Sequence, residues 1–364
     1  MIVPIITGIG LVTPLGNSAG ETWDALLAGR YITGHARVPL TFPQGQSRVS
    51  ELAIRAAREA IASINSKSVI DRGTALVVGS SKGPVEEWLK PPSALSDQKS
   101  RLDSGLAGPA SDLAHALGML GPRLTLSAAC ASGLHALIRG AMLIQSGESR
   151  RVLVVAAEAS IHPLFVASFQ RLGVLPSPGV GCRPFDRHRE GFLMSEAAAA
   201  VWIEASETGL EGVAIDHMAL GADASHLTAS DVNGETLGKV LANVLPDDAV
   251  DLIHAHGTGT VMNDTIELAT IEHILRETET KPSLYSHKGA LGHSLGAAGL
   301  VAVAINVICH RRGIVPPNIR TIDPIAAGKV DINVSATRRS VRRSVALAAG
   351  FGGPIAAIRL ASKY

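Results

Sequence analysis

The sequence has few cysteines, few aromatic residues and no excess of charge of either sign. Its three cysteines, at positions 130, 182 and 309 of 364, are odd in number and far apart. That spacing excludes a disulfide framework and fits a reducing compartment, so we expect a cytoplasmic protein. A formal net charge of +1 gives no electrostatic reason to expect nucleic acid or an anionic membrane as a partner.

Long hydrophobic runs are also lacking. The longest, residues 295–309, is shorter than the roughly 20 residues of a bilayer-spanning helix and contains Asn306. The first ten residues, "MIVPIITGIG", are apolar but carry no positive charge, which favours a first strand over a signal peptide. We therefore expect no membrane insertion and predict that residues 295–309 form a buried helix.

Short runs of Val, Ile, Leu and Ala alternate along the chain with longer helical patterns. The clearest strand patterns cover residues 75–81, 123–129 and 151–160, and the clearest helical patterns cover residues 51–64 and 133–147. Continuous apolar strands between helices are typical of a sheet covered on both faces. The alternation starts again after residue 206, so we predict an α/β protein with two halves, residues 1–205 and 206–364.

Cys130 lies where a predicted strand meets a predicted helix, in the stretch "SAACASG" of residues 127–133. Small neighbours suit a tight strand-to-helix turn, and a helix N-terminus favours a thiolate and can bind an oxyanion. The alternative is a buried, inert cysteine, which is the more common fate of a free thiol.

Two histidines in the second half are candidates to assist a thiolate. His256 lies in "HAHGTGT" and His293 in "SHKGALGHSLGAAG", and each follows an apolar strand in a glycine-rich loop. Active sites of α/β proteins form at the carboxyl ends of parallel strands. Taken alone, both are equally well explained as buried structural histidines.

Six motifs in order make the chain resemble the β-ketoacyl-acyl carrier protein synthases of the Cys-His-His type, which are condensing enzymes of the thiolase superfamily. They run from about residue 7 to 353 and read "GIGLVTPLGNSAGETWDALLAGR", "SAACASG", "RPFDRHREGFLMSEAAA", "HGTGTVMNDTIE", "HKGALGHSLGAAG" and "GFGG". The resemblance implies a thiolase-like fold, in which two pseudo-duplicated α/β halves pack as five α-β-α-β-α layers.

The resemblance also implies roles for particular residues. Cys130 is similar to the acyl-accepting nucleophile of the family, and His256 and His293 are similar to its two active-site histidines. Lys288, five residues before the second histidine, matches a lysine that helps to orient the site. Asp264 and Glu267 match acidic residues of the family that support this lysine and do not perform chemistry.

Substrate-binding residues follow from the same motifs. Thr258 and Thr260 match threonines that hydrogen-bond the phosphopantetheine arm of the carrier. Phe351 matches a gating phenylalanine whose backbone N–H joins that of the nucleophile in an oxyanion hole. Phe169 matches a residue near the acyl pocket or gate.

The implied activity is decarboxylative condensation of an acyl group held on Cys130 with malonyl-acyl carrier protein. The products are a 3-oxoacyl carrier and CO2, in fatty-acid synthesis or a related polyketide or aryl-polyene pathway. Neither a metal nor a bound cofactor is expected. The expected partners are the acyl carrier protein and a second subunit, in a homodimer or in a heterodimer with a related chain.

Two other functions remain open. One is a thiolase-like acyltransferase without decarboxylation, although thiolases pair the nucleophile with a second catalytic cysteine rather than with two histidines and a lysine. The other is a non-catalytic partner of the chain-length-factor type, although such subunits typically lose the nucleophile that Cys130 supplies here.

Other sites are less well supported. His254, His256 and Asp264 are possible metal ligands, but the sequence indicates no further ligand. The glycine-rich stretches at 8–10 and 79–83 complete no nucleotide-binding motif and are interpreted as close-packed turns after strands.

Two features depart from the family pattern. Pro354 and Ile355 follow "GFGG" where the family commonly has Thr-Asn, which changes how the gate loop is braced. Residues 84–121 are shorter than in elongating synthases, so acyl specificity is the least transferable property.

Overall fold

A computed structural model describes residues 2–42, 47–64, 70–89, 105–206, 210–226, 231–245 and 249–363. Its first half contains the strands β1 Pro4–Val12, β2 Ala75–Gly79, β3 Arg123–Leu126, β4 Arg151–Glu158 and β5 Ala197–Ala205. The helices of this half are α1 Ala19–Leu27, α2 Arg48–Ala62, α3 Val85–Trp88, α4 Gly108–Leu117, α5 Ser132–Gln145 and α6 Pro163–Arg171.

The second half repeats this alternation. Its strands are β6 Val213–Ala222, β7 Leu252–His254, β8 Ser283–Tyr285, β9 Ile314–Val315, β10 Thr337–Arg338, β11 Arg343–Ala349 and β12 Pro354–Ser362. Its helices are α7 Glu235–Val244, α8 Val261–Ile274, α9 Lys288–Leu291, a 3-10 turn at Leu295–Ala297, and α10 Ala298–Arg312. Every strand and helix pattern noted in the sequence is confirmed, with ends that differ by a few residues.

The two halves share one strand order. Ten strands pair in the sequence β3-β2-β4-β5-β1-β6-β12-β11-β7-β8. The other two strands, β9 and β10, pair with each other. Of the five strands that each half contributes to the ten-stranded sheet, counted from the outer edge, the third comes first, then the second, fourth, fifth and first. The strand directions repeat as well, since the three outer strands of each half are parallel to one another and the inner pairings are antiparallel. This repeat confirms the predicted pseudo-duplication; the division at residues 205 and 206 stays a prediction.

Helices α5 and α10 form the middle layer of the molecule. Both contact strands of the first half and of the second half, and they contact each other, while α2 packs on the outside of the first half and α7 on the outside of the second. The observed order of layers is thus the predicted α-β-α-β-α arrangement.

Helix α10 is buried over residues 298–310 and has no polar face, which suits a position between the strands of the two halves. By length and composition alone the segment Leu295–Arg312 is apolar enough to cross a membrane, but 89% of it is buried inside the protein. The prediction of a buried core helix is confirmed. It ends at Gly313, which takes the left-handed conformation that favours glycine at helix ends.

Close packing explains the two glycine-rich stretches. A Cβ added at Gly10 would lie 2.0 Å from the Ala56 carbonyl oxygen of α2, and one at Gly79 would lie 2.7 Å from the Ser132 oxygen of α5. The stretch at 79–83 is a close-packed turn at the end of β2, as interpreted from the sequence. The interpretation is wrong for residues 8–10, which lie inside β1, where α2 packs directly on the strand backbone.

The carboxyl ends of the parallel strands position the functional residues. Cys130 follows β3, His256 follows β7, His293 follows β8 and Phe351 follows β11. Because α5 and α10 hold the halves face to face, these four ends are brought to one place.

Candidate active site

Cys130 sits on a strained turn between β3 and α5. The preceding residue, Ala129, has a φ of +48°, a left-handed conformation that costs a residue with a side chain of the order of 1 kcal/mol or more. The Ser132 hydroxyl fixes the turn, because it accepts from the Ala128 N–H at 2.9 Å and donates to the Ala129 carbonyl at 2.6 Å. The turn therefore holds the thiol at the start of α5.

Burial decides the protonation of this thiol. It raises the pKa of Cys130 to about 11, although the charges of Lys288 and Lys82 act in the opposite direction. The expectation of a resting thiolate at the helix N-terminus is not met, since the loss of hydration outweighs these cations. The resting residue is a thiol that must lose its proton as it reacts.

Two buried carboxylates of α8 hold the turn that carries His256. The two oxygens of Glu267 accept the N–H groups of His256 and Gly257 at 2.6 and 2.8 Å. Asp264 accepts from Gly259 at 3.1 Å. Burial raises the pKa of Asp264, and it raises that of Glu267 to about 7. Their hydrogen bonds thus fix the backbone around His256.

Lys288 connects the two histidine loops. Its ammonium donates to the backbone carbonyl of His256, and only 2% of the residue is exposed. Burial lowers its pKa, while the negative charge of Glu267 opposes that shift. Lys288 therefore contacts the turn of the first histidine while lying five residues before the second.

His293 is held by the other half of the chain. Its N–H donates to the Leu193 carbonyl at 2.7 Å, and its own carbonyl accepts from Ser195 at 3.1 Å. Its ring packs edge-on against Phe192, with 4.9 Å between ring centres. The backbone of the first half thereby fixes a histidine of the second.

The two histidine rings are neighbours and neutral. Their centres are 5.5 Å apart in an edge-to-face arrangement. Burial, followed by the charge of Lys288, lowers the pKa of both His256 and His293 well below the ordinary value. Each neutral ring has one N–H to donate.

The loop between β11 and β12 closes over the thiol. A Cβ added at Gly350 would lie 3.0 Å from the Cys130 nitrogen, a tight contact that a side chain could take only if its neighbours moved by a few tenths of an ångström. The next residue, Phe351, has its ring centre 6.1 Å from that of Phe169. The carbonyl of Pro354 closes the loop by accepting the Gly350 N–H at 2.8 Å, so a backbone bond braces the loop at the position where the sequence departs from the family pattern.

A cavity of about 400 Å³ brings six of the ten predicted residues together. Its lining includes Cys130, His256, His293, Thr258, Thr260 and Phe351. The threonine hydroxyls lie 2.9 Å from each other. The other four predicted residues do not line it: Phe169 packs in the apolar cluster around the thiol, and the supporting groups are Lys288, Asp264 and Glu267.

Four residues of this site were not singled out from the sequence. Asn263 donates to both Asp264 and Glu267, and Asp223 and Glu190 line the cavity. Phe192 supports the His293 ring. Glu190 and Phe192 lie in the recognised motif "RPFDRHREGFLMSEAAA", but their residue types indicate no particular chemistry until the fold places them here.

The remaining candidates are structural. Cys182 donates to the Thr258 carbonyl at 3.5 Å, and Cys309 is buried in α10. His254 is hydrogen-bonded to other side chains, and Asp264 is used by backbone N–H groups. Across the described ranges, no three His, Cys, Asp or Glu side chains are grouped as a metal site would require.

Comparison with known proteins gives the family. The models of the beta-ketoacyl synthase N-terminal and C-terminal domains match residues 43–208 and 213–321. The chain is 29% identical to 3-oxoacyl-[acyl-carrier-protein] synthase 2 of Rhizobium meliloti over 98% of each chain. It is 27% identical to the actinorhodin polyketide putative beta-ketoacyl synthase 1 of Streptomyces coelicolor, over 96% of this chain and 86% of that one.

A solved structure shows the same fold. It is a type II polyketide ketosynthase in complex with its acyl-carrier protein, with a TM-score of 0.88, 22% identity and 99% coverage of both chains. The matched family models together span more than half of this chain. The protein therefore belongs to the β-ketoacyl synthase family of the thiolase superfamily and is an acyltransferase of the ketosynthase class.

Proposed function

We propose that Cys130 carries the acyl group and that His256 and His293 promote its decarboxylative condensation with a malonyl carrier. One observation carries this assignment: the thiol and both neutral histidines line the same cavity of about 400 Å³. A nucleophile and two hydrogen-bond donors around one space can serve a reaction in which an acyl group held on the nucleophile meets a developing enolate.

In the first step, the sulfur of Cys130 attacks the thioester carbonyl of the acyl carrier. The bond from that carbon to the pantetheine sulfur breaks, and the proton of the Cys130 thiol ends on the departing sulfur. Because burial raises the thiol pKa to about 11, proton loss accompanies the attack instead of preceding it. The backbone N–H groups of Cys130 and Phe351 are our candidates to hold the oxyanion.

In the second step, the malonyl carboxylate leaves as CO2 and its electron pair passes to the thioester enolate. Neutral His256 and His293 donate hydrogen bonds to the enolate oxygen. The carbanion attacks the acyl carbonyl, the bond to the Cys130 sulfur breaks, and the released thiolate takes up one proton. Each condensation thus consumes one proton, and the sequence of steps uses no metal or bound cofactor.

The threonines and the gate bind the substrate arm. Thr258 and Thr260 present hydroxyl groups along the cavity wall, which suits hydrogen bonds to the amides of pantetheine. Phe169 and Phe351 pack beside each other near Cys130 and are assigned to the acyl pocket and its gate. Lys288, Asp264 and Glu267 are assigned to support.

The partners are an acyl carrier protein and a second subunit. The similar ketosynthase in complex with its acyl-carrier protein supports the first. For the second, β3 pairs only with β2 among the described strands, and an open sheet edge can pair with another chain. We propose a cytoplasmic homodimer, and a heterodimer with a related chain is the alternative. The mass of the purified protein in solution distinguishes the two, since only a homodimer forms from this chain alone.

Intact-protein mass and product analysis test the function. With acyl carrier and malonyl carrier, we expect an acyl adduct that Cys130→Ala abolishes and a 3-oxoacyl product. His293→Ala should keep the adduct and lose the product. Cys309→Ala, at a buried cysteine far along α10, is the matched control and should keep both.

Other outcomes identify the alternatives. An adduct on Cys182 or Cys309 would contradict the assignment of the nucleophile. Acyl transfer without release of CO2 would identify a thiolase-like acyltransferase. Activity only after addition of a related ketosynthase chain, with no adduct on Cys130, would identify a non-catalytic partner subunit.

A further inference from the structure

Three buried polar side chains form a chain behind the active site. His254, the last residue of β7, places its Nε2 2.8 Å from Nδ1 of His287, which follows β8. Nδ1 of His254 lies 2.8 Å from Oδ1 of Asn306 on α10. At most 1% of each residue is exposed, and neither histidine lines the cavity.

The hydrogen bonds of Asn306 fix the proton positions on the two histidines. Asn306 Nδ2 lies 3.3 Å from the Val345 carbonyl, which can only accept a hydrogen bond, so Oδ1 faces His254. Nδ1 of His254 must then be the donor. A neutral imidazole carries one proton, so Nε2 of His254 accepts from Nδ1–H of His287.

Both rings are neutral because burial lowers the pKa of each. That of His254 falls to about 3, and that of His287 lies well below its ordinary value. The charged and titratable groups that act on His287 are Lys288, His254, His293 and His256. Nε2 of His287 is left as a buried lone pair with no partner among the described residues.

The pair joins the two strands at the point where their backbone pairing stops. The ladder between β7 and β8 ends at His254 and Tyr285, followed by one more bond from Ala255 N–H to the Tyr285 carbonyl at 2.9 Å. His256 comes two residues after His254, and Lys288 comes directly after His287. The imidazole bond is therefore a cross-link between the two loops that carry the proposed chemistry.

We propose that His254 and His287 are positioning residues, which as a neutral hydrogen-bonded pair hold His256 and His293 in register for the decarboxylation step. This inference rests on the proposed function. It excludes a proton-relay role, because the group that follows His254 is the Asn306 amide, which does not pass protons on. The pair acts through the loops and does not touch substrate.

Kinetics of the two half-reactions test the proposal. In His254→Leu and His287→Leu, we expect kcat for malonyl decarboxylation to fall by between about 10- and 100-fold with an unchanged KM, since small misplacements have effects of this size. Acyl-adduct formation on Cys130 should keep its rate. The double variant should be no slower than either single one, because both remove the same bond.

Two further variants separate positioning from stability. His287→Asn places an amide nitrogen close to the position of Nδ1 and should keep most of the activity. His310→Leu removes another buried histidine, which is bonded to Ser344 at 2.9 Å and not to either loop. Ser344 also accepts from Asn306 Nδ2 at 3.2 Å, so this variant disturbs the same network beyond Asn306 and leaves the bond between His254 and His287 in place. It should lower Tm as the leucine variants do, without changing the ratio of the two half-reactions.

Nitrogen-15 spectra of the wild-type histidines at neutral pH give a test that needs no variant. We expect both His254 and His287 to carry the proton on Nδ1. A proton on Nε2 of His287 would overturn the proposal. So would leucine variants of His254 and His287 that slow both half-reactions equally and leave their ratio unchanged, as is expected for His310→Leu. If the wild type releases no CO2 the proposed function fails, and the spectra still decide whether the neutral pair exists.

Discussion

The two halves repeat one strand order but hold their functional groups in opposite ways. The first half presents Cys130 on strained backbone, with a left-handed Ala129 and a serine that braces the turn. The second half presents His256 and His293 on loops held by buried carboxylates, a buried lysine and a histidine pair. A duplicated scaffold thus supports a nucleophile through conformation and the histidines through buried polar contacts.

The difference has a physical basis. A thiol is small and weakly polar, so it can be buried beside apolar rings without hydrogen-bond partners. Glycine-rich loops, by contrast, expose many backbone N–H groups that must be paired once they are buried. The second half therefore needs polar side chains that the first half does not.

The largest expected effect comes from removing a carboxylate that holds a histidine loop of the second half. Glu267→Ala leaves the N–H groups of His256 and Gly257 buried without acceptors, and each orphan costs about 1–3 kcal/mol. We expect a loss of about 3 kcal/mol in the free energy of unfolding and loss of condensation. Denaturant unfolding measures it, with the exposed Glu277→Ala as control. A change below about 1 kcal/mol would show that the carboxylate does not support the turn.

Acid should also act on the second half, which contains the strongly shifted histidines. Buried neutral histidines bind fewer protons than unfolded ones, so stability is full above pH 6.5 and falls as pH drops toward the folded values, about 4 for His310 and about 3 for His254. Glu267, with its raised pKa, opposes this between about 7 and 4.5. We therefore expect the steepest loss below pH 4.5.

Unfolding free energies at about pH 7, 5.5, 4.5 and 3.5 measure that loss. His310→Gln should flatten the acid limb by roughly 1.4 kcal/mol per pH unit, the linkage slope of one group. An unchanged acid limb would mean that His310 binds a proton as readily in the folded protein as in the unfolded one.

A third prediction concerns the contact between the halves. In Gly350→Ala, the added Cβ would lie 3.0 Å from the Cys130 nitrogen, the Ala128 oxygen and the Ala129 Cβ, so the gate loop and the Cys130 turn must move apart by a few tenths of an ångström. We expect acyl loading of Cys130 to slow about tenfold, since small displacements of reacting groups have effects of this size or larger. Gly352→Ala, which meets no atom within 4 Å but has a positive φ, should lower stability and leave loading nearly unchanged. Equal loading in both variants would contradict a close gate.

The smallest effect tests the strain in the first half. Glycine adopts the φ of +48° at position 129 without penalty, so Ala129→Gly should raise the free energy of unfolding by about 0.5–1 kcal/mol. Ala136→Gly, inside α5, should lower it by about 1 kcal/mol. If Ala129→Gly also destabilises the protein, the turn stores no strain.

Much of the fold was predictable because its signals are local. Apolar runs at residues 75–79 and 151–158 form strands, and the pattern near residue 140 forms α5, because periodicity and length depend only on neighbours in sequence. The same holds for the candidate residues at strand ends. Residues 90–104, part of the region expected to be shortened, lie outside the described residues.

The protonation of the site was less predictable. The helix start near Cys130 indicated a thiolate, but the pKa is raised because burial by Phe169, Phe192 and other distant residues outweighs the local effect. Asn263 and Phe192 carried no signal of their own, since their roles come from side chains far away in sequence.

The sequence by itself determined which residue types stand at the ends of which strands, and through ordered motifs it determined the family. Only the tertiary structure decided that Cys130 and the two histidines share one cavity, that His254 and His287 pair, and that the thiol keeps its proton. The reason is physical: strand ends are set by local pattern, whereas burial, pKa and hydrogen-bond partners depend on which distant surfaces the two halves bring into contact.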